Sequence, residues 1–201
     1  LIQHGIGRDP GLSTSTGWPP VVIGVNDSVL NPPATSFAVF REDHLEQAMK
    51  NLEVDEVSEG SVGVGRGLCA FGLRGGVGTS SRVLQSDEQE FTVGAFTAAN
   101  GGEAGDLCID RYPIDTNRRD VFEQRPRSFV ALIATDAPLI PLQCRQLALR
   151  AISGLYRVGL ISARTDEGIA IAFSTFPVEQ DGAHQLVGRV SDDLLVELSV
   201  A

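Results

Sequence analysis

An α+β fold is predicted from this chain by three observations. Two β-type segments, Ser81–Gln85 "SRVLQ" and Glu90–Ala98 "EFTVGAFTA", flank the acidic "SDEQE" as the arms of a hairpin would. Phe129–Ala134 "FVALIA" is apolar at every position, as a strand covered on both faces would be. Two stretches carry apolar residues at helical spacing, and hairpins and helices are mixed along the chain rather than alternating as a βαβ series.

In order, the opening to Pro20 ("GRDPGLSTSTGWPP") has loop composition. Val21–Val25 "VVIGV" predicts a buried strand, followed by a turn at "NDS". Arg41–Val54 places Leu45, Met49 and Leu52 on one helical face with charges between them. The glycine-rich Ser61–Ser81 disfavours helix and suits extended or turning backbone packed closely on other backbone. After the hairpin, Asn100-Gly101-Gly102 ends the second strand, and Glu103–Arg127 reads as an exposed loop. From Pro141, which suits a first helical turn, Cys144, Leu147, Ala148, Ala151, Ile152 and Leu155 form an apolar stripe. Gly168–Phe176 "GIAIAFSTF" predicts a further strand.

The 201 residues fit one domain, residues 1–201, expected to be truncated at both ends: the chain opens on "LIQHGI" without Met and closes on the apolar "DDLLVELSVA" without a stop signal. A formal net charge of −10 argues against nucleic acid and anionic membrane surfaces as partners. No apolar run reaches the roughly 20 residues of a membrane span. Cys69, Cys108 and Cys144 form no CxxC and read as reduced thiols of a cytoplasmic protein. His4, His44 and His184 have no zinc spacing, and His44 sits among the charges of a helix face; no metal is expected. "GVGRGL" and "GLRGGVGTSS" lack the third glycine and the Lys-Ser/Thr of the nucleotide loops, so no cofactor is expected either.

Ser128 stands at the mouth of the apolar "FVALIA" segment, and two readings of it stay open. It is an ordinary residue opening a strand, or it is a nucleophile. GxSxG is absent and histidine bases are few, so a nucleophile here would need another activator. Cleavage before Ser128 would supply one. The freed α-amine, of reference pKa about 7.7–8.0, lies beside its own hydroxyl and can take the proton.

Five stretches, "VVIGVNDSVLN", "SEGSVGVGRGLCAFGLRGGVGTSSRV", "FTVGAFTAANGG", "SFVALIATDAPLIPLQCRQLALRAISGLYRVG" and "IAIAFST", together resemble the DmpA-type L-aminopeptidases/D-esterases. That family includes the β-aminopeptidases and, more distantly, the nylon-oligomer hydrolase. The resemblance implies an αββα four-layer sandwich of the DmpA/ornithine acetyltransferase type and a homo-oligomer. It also implies self-cleavage between Arg127 and Ser128, giving an α part (1–127) and a β part (128–201). By the same resemblance Ser128 is the nucleophile, Asn100 donates to the oxyanion, and Asp166 orients or charges the freed amine. A small peptide or amide is the implied substrate.

The chain departs from the family pattern at three places. Arg127 stands where glycine usually precedes the nucleophile, Val29 where an aromatic hydroxyl often helps the oxyanion, and Gly168 where the family has an acid. Asp166 occupies a position where the nylon-oligomer hydrolase also has aspartate, and Glu167 is a second source of charge. The expected function is an N-terminal-nucleophile amide hydrolase. Its rivals are a catalytically silent paralogue kept for binding or assembly, and an acyltransferase of the ornithine acetyltransferase kind.

Overall fold

The computed structural model describes residues 6–7, 10–13, 21–36, 39, 41–52, 56–86, 89–116, 128–160, 167–177, 179–181, 184–186 and 189–200. The chain divides into two units, one of Leu1–Gly24 with Pro33–Glu56, the other of Val25–Pro32 with Val57–Ala201.

In the first unit, helix α1 spans Glu42–Lys50 of the expected Arg41–Val54; the Asn51 N–H still donates to the Gln47 carbonyl, and residues 53 and 54 lie outside the described residues. His44 lies at the third helical position, where its Nδ1 accepts the Arg41 N–H at 3.2 Å. That bond occupies one of the donors that a helix start leaves without an internal partner.

The second unit is built on a four-stranded sheet ordered β3-β4-β7-β8, with β3 at Gly76–Ser86, β4 at Gln89–Ala99, β7 at Ser128–Thr135 and β8 at Glu167–Ser174. β3 and β4 pair antiparallel from Gly76↔Ala99 to Ser86↔Gln89, which is the hairpin expected around "SDEQE". β7 is antiparallel to β4 and parallel to β8. The parallel pair needs a crossover, and helix α2 at Pro141–Arg157 lies between the two strands in sequence.

The helical stripe of α2 fixes which way β7 faces. Phe129 clusters with Leu155 and Leu160, and Ile133 with Leu147 and with Leu194, Leu195 and Leu198 of helix α3, Asp192–Val200. Side chains alternate along a strand, so Ser128 stands on the other face of the sheet from α2. Phe129, Val130, Ala131 and Ile133 are all buried, so β7 is apolar on both faces, as its sequence predicted. Full burial of each large side chain contributes about 1.5–3 kcal/mol, enough to hold the first residue of this strand in a fixed place.

Gln143 is the buried polar residue of α2. Its Nε2 donates to the Val190 carbonyl at 2.8 Å and its Oε1 accepts the Ile140 N–H at 3.3 Å, which ties the start of α2 to the segment before α3. Leu147 sits at the centre of the α2 cluster and is 4% exposed. Leu147→Ala is expected to cost about 2–5 kcal/mol, read as a lower urea midpoint at constant m-value. A loss under about 0.5 kcal/mol, the size seen at surface positions, would show that this helix face is not packed.

Two expectations are corrected. Val21–Val25 forms no strand among the described residues, and Val21 and Val22 are 75% and 72% exposed. A five-residue apolar run has no period of its own, so its composition could not say whether a partner strand was there. Glu103–Arg127 is not all loop: β5 (Cys108–Ile109) and β6 (Tyr112–Pro113) pair antiparallel. Asp110 and Arg111 join them at φ 50° and 70°, the two positive angles of a type I′ turn. Residues 117–127 lie outside the described residues. The glycine-rich stretch behaves as read: a short 3₁₀ turn at Gly63–Gly67 leads into β1 (Cys69–Ala70) and β2 (Leu73–Arg74), with backbone against backbone at Gly65, Gly75 and Gly76.

Candidate active site

Ser128 opens β7 and Asn100 follows the last residue of β4, so the antiparallel pairing of these strands brings the two together. Asn100 is fully buried. Its Nδ2 donates to Ser128 Oγ at 2.9 Å and to the Asn26 carbonyl at 2.7 Å, while its Oδ1 accepts the Cys69 N–H at 3.1 Å. A backbone N–H can only donate and a carbonyl can only accept, so both contacts require the same amide orientation. The donor end of Asn100 therefore faces Ser128.

The turn after Asn100 is held just as closely. Gly101 donates to the Cys69 carbonyl at 3.0 Å and its own carbonyl accepts the Phe71 N–H at 2.9 Å, which stitches β1 alongside. Gly102 has φ 78° and lies against the Phe71 ring where a Cβ would stand, so both backbone angle and space require glycine.

A second donor meets the same hydroxyl. The Asn26 N–H reaches Ser128 Oγ at 2.5 Å. A serine hydroxyl has two acceptor lone pairs and one hydrogen. Asn26 and Asn100 fill the lone pairs, which leaves the hydrogen for a base. Among the described residues no side chain accepts it. The Ser128 N–H donates to the Asn100 carbonyl at 3.2 Å, so the nitrogen of Ser128 is itself anchored beside the hydroxyl.

Chemically, two N–H donors converging on one oxygen favour its alkoxide. Cys69 is no rival nucleophile, since it is buried and its burial pushes the thiol above its ordinary range.

Of the residues singled out in the sequence, Ser128 and Asn100 meet directly. Arg127 and Asp166 lie outside the described residues. Glu167 opens β8, and its backbone is in register with Ser128, next to the Phe129↔Gly168 pair. Val29 lies in the turn after Asn26 and is half-buried. Asn26 was missed because it contributes backbone. The only signal was "NDS": its Oδ1 accepts the Ser28 N–H at 3.0 Å, the local bond that Asn makes in such turns.

A family model described as peptidase family S58 matches residues 2–201. The chain belongs to peptidase family S58. Within S58, the chain is similar to the β-peptidyl aminopeptidase BapA of Sphingosinicella xenopeptidilytica, 32% identical over 96% of this chain and 51% of that protein. Among solved structures it is similar to the L-aminopeptidase D-Ala-esterase/amidase of Ochrobactrum anthropi, described as a variant of the Ntn hydrolase fold. The TM-score is 0.85 and the identity 30%, over 100% of this chain and 56% of that one. A β-aminopeptidase of a Burkholderia species aligns at TM-score 0.82 and 34% identity, over 100% and 57%. The S58 chain has this Ntn-hydrolase variant fold, in keeping with the α+β expectation. It spans about half the length of the curated relatives it matches.

Proposed function

We propose that this S58 chain carries the reacting groups of an N-terminal-nucleophile amide hydrolase that acts on short peptides or small aminoacyl amides and esters. The observation that carries the reading is the pair of donors, Asn26 N–H and Asn100 Nδ2, on the hydroxyl of the residue that opens β7. Maturation begins when Ser128 Oγ attacks the carbonyl carbon of Arg127. The peptide bond to Ser128 N breaks as the ester forms, and water then hydrolyses the ester to leave a free amine on Ser128.

In turnover that amine takes the Oγ proton and Oγ bonds to the substrate carbonyl carbon. Asn26 N–H and Asn100 Nδ2 stabilise the charged oxygen, and the proton passes to the departing amine. Water, deprotonated by the same amine, releases the acyl group and regenerates Ser128. The Asn100 carbonyl, already bonded to Ser128 N, orients the amine. Asp166 supplies the negative charge that favours its protonated form, supported by its place one residue before Glu167, the register partner of Ser128. Free Cys69, Cys108 and Cys144 suit a reducing, cytoplasmic setting.

Intact mass and N-terminal sequencing of the full-length protein test this reading. The expected result is a fragment that begins Ser128-Phe129-Val130-Ala131. A single chain, stable over days and inert toward aminoacyl esters, would instead support a catalytically silent relative. Arg127 in place of the usual glycine favours that reading, because it removes backbone freedom at the bond to be cut.

A further inference from the structure

The turn that carries the Asn26 donor is braced within itself. The Asp27 carbonyl accepts the N–H groups of Leu30 and Asn31 at 3.0 and 2.9 Å, and Asp27 Oδ2 accepts Asn31 Nδ2 at 2.7 Å. Together with the Asn26–Ser28 bond, these contacts tie residues 26–31 to one another. The turn sits directly on Gly67. A Cβ at that position would stand 2.6 Å from Asp27 Cβ, 2.6 Å from Asn31 Nδ2 and 2.7 Å from Asp27 Oδ2. Atoms pack best at about 3.5–4.0 Å; the two side-chain ends can rotate away, but Asp27 Cβ is fixed to the backbone, so a side chain at 67 displaces the turn at Asp27 by about 1 Å.

Two residues further on, the Cys69 N–H fixes the amide of Asn100. Buried Leu68 lies between them. One three-residue stretch, Gly67–Cys69, therefore bears on both donors of Ser128 Oγ, one through its α-carbon and the other through its N–H.

We propose that Gly67 is a positioning residue: its bare α-carbon seats the Asp27–Asn31 turn so that the Asn26 N–H reaches Ser128 Oγ, with the Asp27 carboxylate as the brace that transmits the contact. This rests on Ser128 being the nucleophile. Substrate touches neither residue in this role, so the effect falls on the chemical step and not on binding.

The test compares Gly67→Ala, Gly67→Ala/Asp27→Gly, Asp27→Ala and Ser128→Ala with wild type on a small aminoacyl ester, with rates normalised to cleaved chain. Gly67→Ala is expected to lose about a hundredfold in kcat, the size of one lost oxyanion donor, with KM within about threefold. Adding Asp27→Gly removes two of the three colliding atoms and releases Asn31 Nδ2, a side-chain end that can then rotate away, and is expected to recover at least about tenfold of that loss. Mere destabilisation predicts the reverse, since the double variant is the less braced.

Should Gly67→Ala fail to fold, Asp27→Ala carries the test. It is expected to lose about tenfold in kcat at unchanged KM. A folded Gly67→Ala with wild-type kcat, a double variant no better than the single, or an Asp27→Ala with wild-type kcat would overturn the proposal. An active Ser128→Ala would instead remove the nucleophile reading itself, whereas an inert Ser128→Ala beside a fully active Gly67→Ala removes the positioning role alone.

Discussion

Ser128→Ala is expected to yield one uncut chain whose hydrolysis of small aminoacyl amides and esters stays at background. The loss should be on the order of 10⁶ in kcat, the size seen when a serine nucleophile is removed from a concerted site. The expectation follows from what meets at this residue. Oγ accepts two N–H donors and the nitrogen is held by the Asn100 carbonyl; in the proposed mechanism nucleophile, base and proton path all belong to this residue. Alanine keeps the nitrogen and its bond but leaves nothing to attack either Arg127 or a substrate.

The fold should survive the change. Ser128 lies at the first position of β7, and the strand is held by Phe129, Val130, Ala131 and Ile133, which are untouched. Loss of one half-buried hydroxyl leaves the Asn26 N–H and one bond of Asn100 Nδ2 without a partner, a cost of about 1–3 kcal/mol. Activity at the wild-type rate in a folded Ser128→Ala protein would falsify the nucleophile assignment.

What the sequence made legible divides along a physical line. α2 and the β3–β4 hairpin were readable because burial imposes a period on side chains, whereas β7 and β8 were read from apolar runs bounded by turn signals. Ser128 was readable only as a question: a hydroxyl before an apolar run is equally a strand opening. Pairing adds what the sequence could not show, because β4 against β7 delivers Asn100 to the hydroxyl.

The misreadings arise where that signal is ambiguous or missing. Val21–Val25 is an apolar run without a period, as β7 is, but Val21 and Val22 are exposed. The β5–β6 hairpin turns on Asp110-Arg111, not on the Asn-Gly that marks a type I′ turn, so its two-residue strands gave no signal. Asn26 acts through its N–H, which every residue but proline has, and no side-chain pattern announces it. Gly67 was visible as one glycine among many. Only the fold distinguishes it from Gly78, where an added Cβ meets a single atom at 3.8 Å.

Asn100 offers a cleaner separation of chemistry from structure. Asn100→Asp is expected to lose about 10²–10³ in kcat, roughly 2.7–4 kcal/mol of transition-state stabilisation, at nearly unchanged KM. Aspartate preserves the shape and still offers an oxygen to the Cys69 N–H, so the β1 side of the site keeps its bond. At the other end it replaces a donor with an acceptor. That oxygen would face the Asn26 carbonyl and Ser128 Oγ, at the 2.7 and 2.9 Å now spanned by N–H bonds.

A carboxylate buried there among acceptors is pushed toward its neutral form, which can donate one bond again. The base works in the opposite direction, because the Ser128 amine must be unprotonated, and its reference pKa is about 7.7–8.0. Acid therefore restores the donor while removing the base. The pH–rate profile of Asn100→Asp should be narrower than that of wild type as well as lower.

Asn100→Ala should lose activity to a similar degree but also lose stability, by about 1–3 kcal/mol, because the buried Cys69 N–H is left without a partner. Two variants with matched rate loss and different denaturation midpoints would assign Nδ2 to the charged oxygen and Oδ1 to the scaffold. If Asn100→Asp kept wild-type kcat across the profile, the oxyanion would be held by Asn26 alone, and the brace at Gly67 would become the larger of the two contributions.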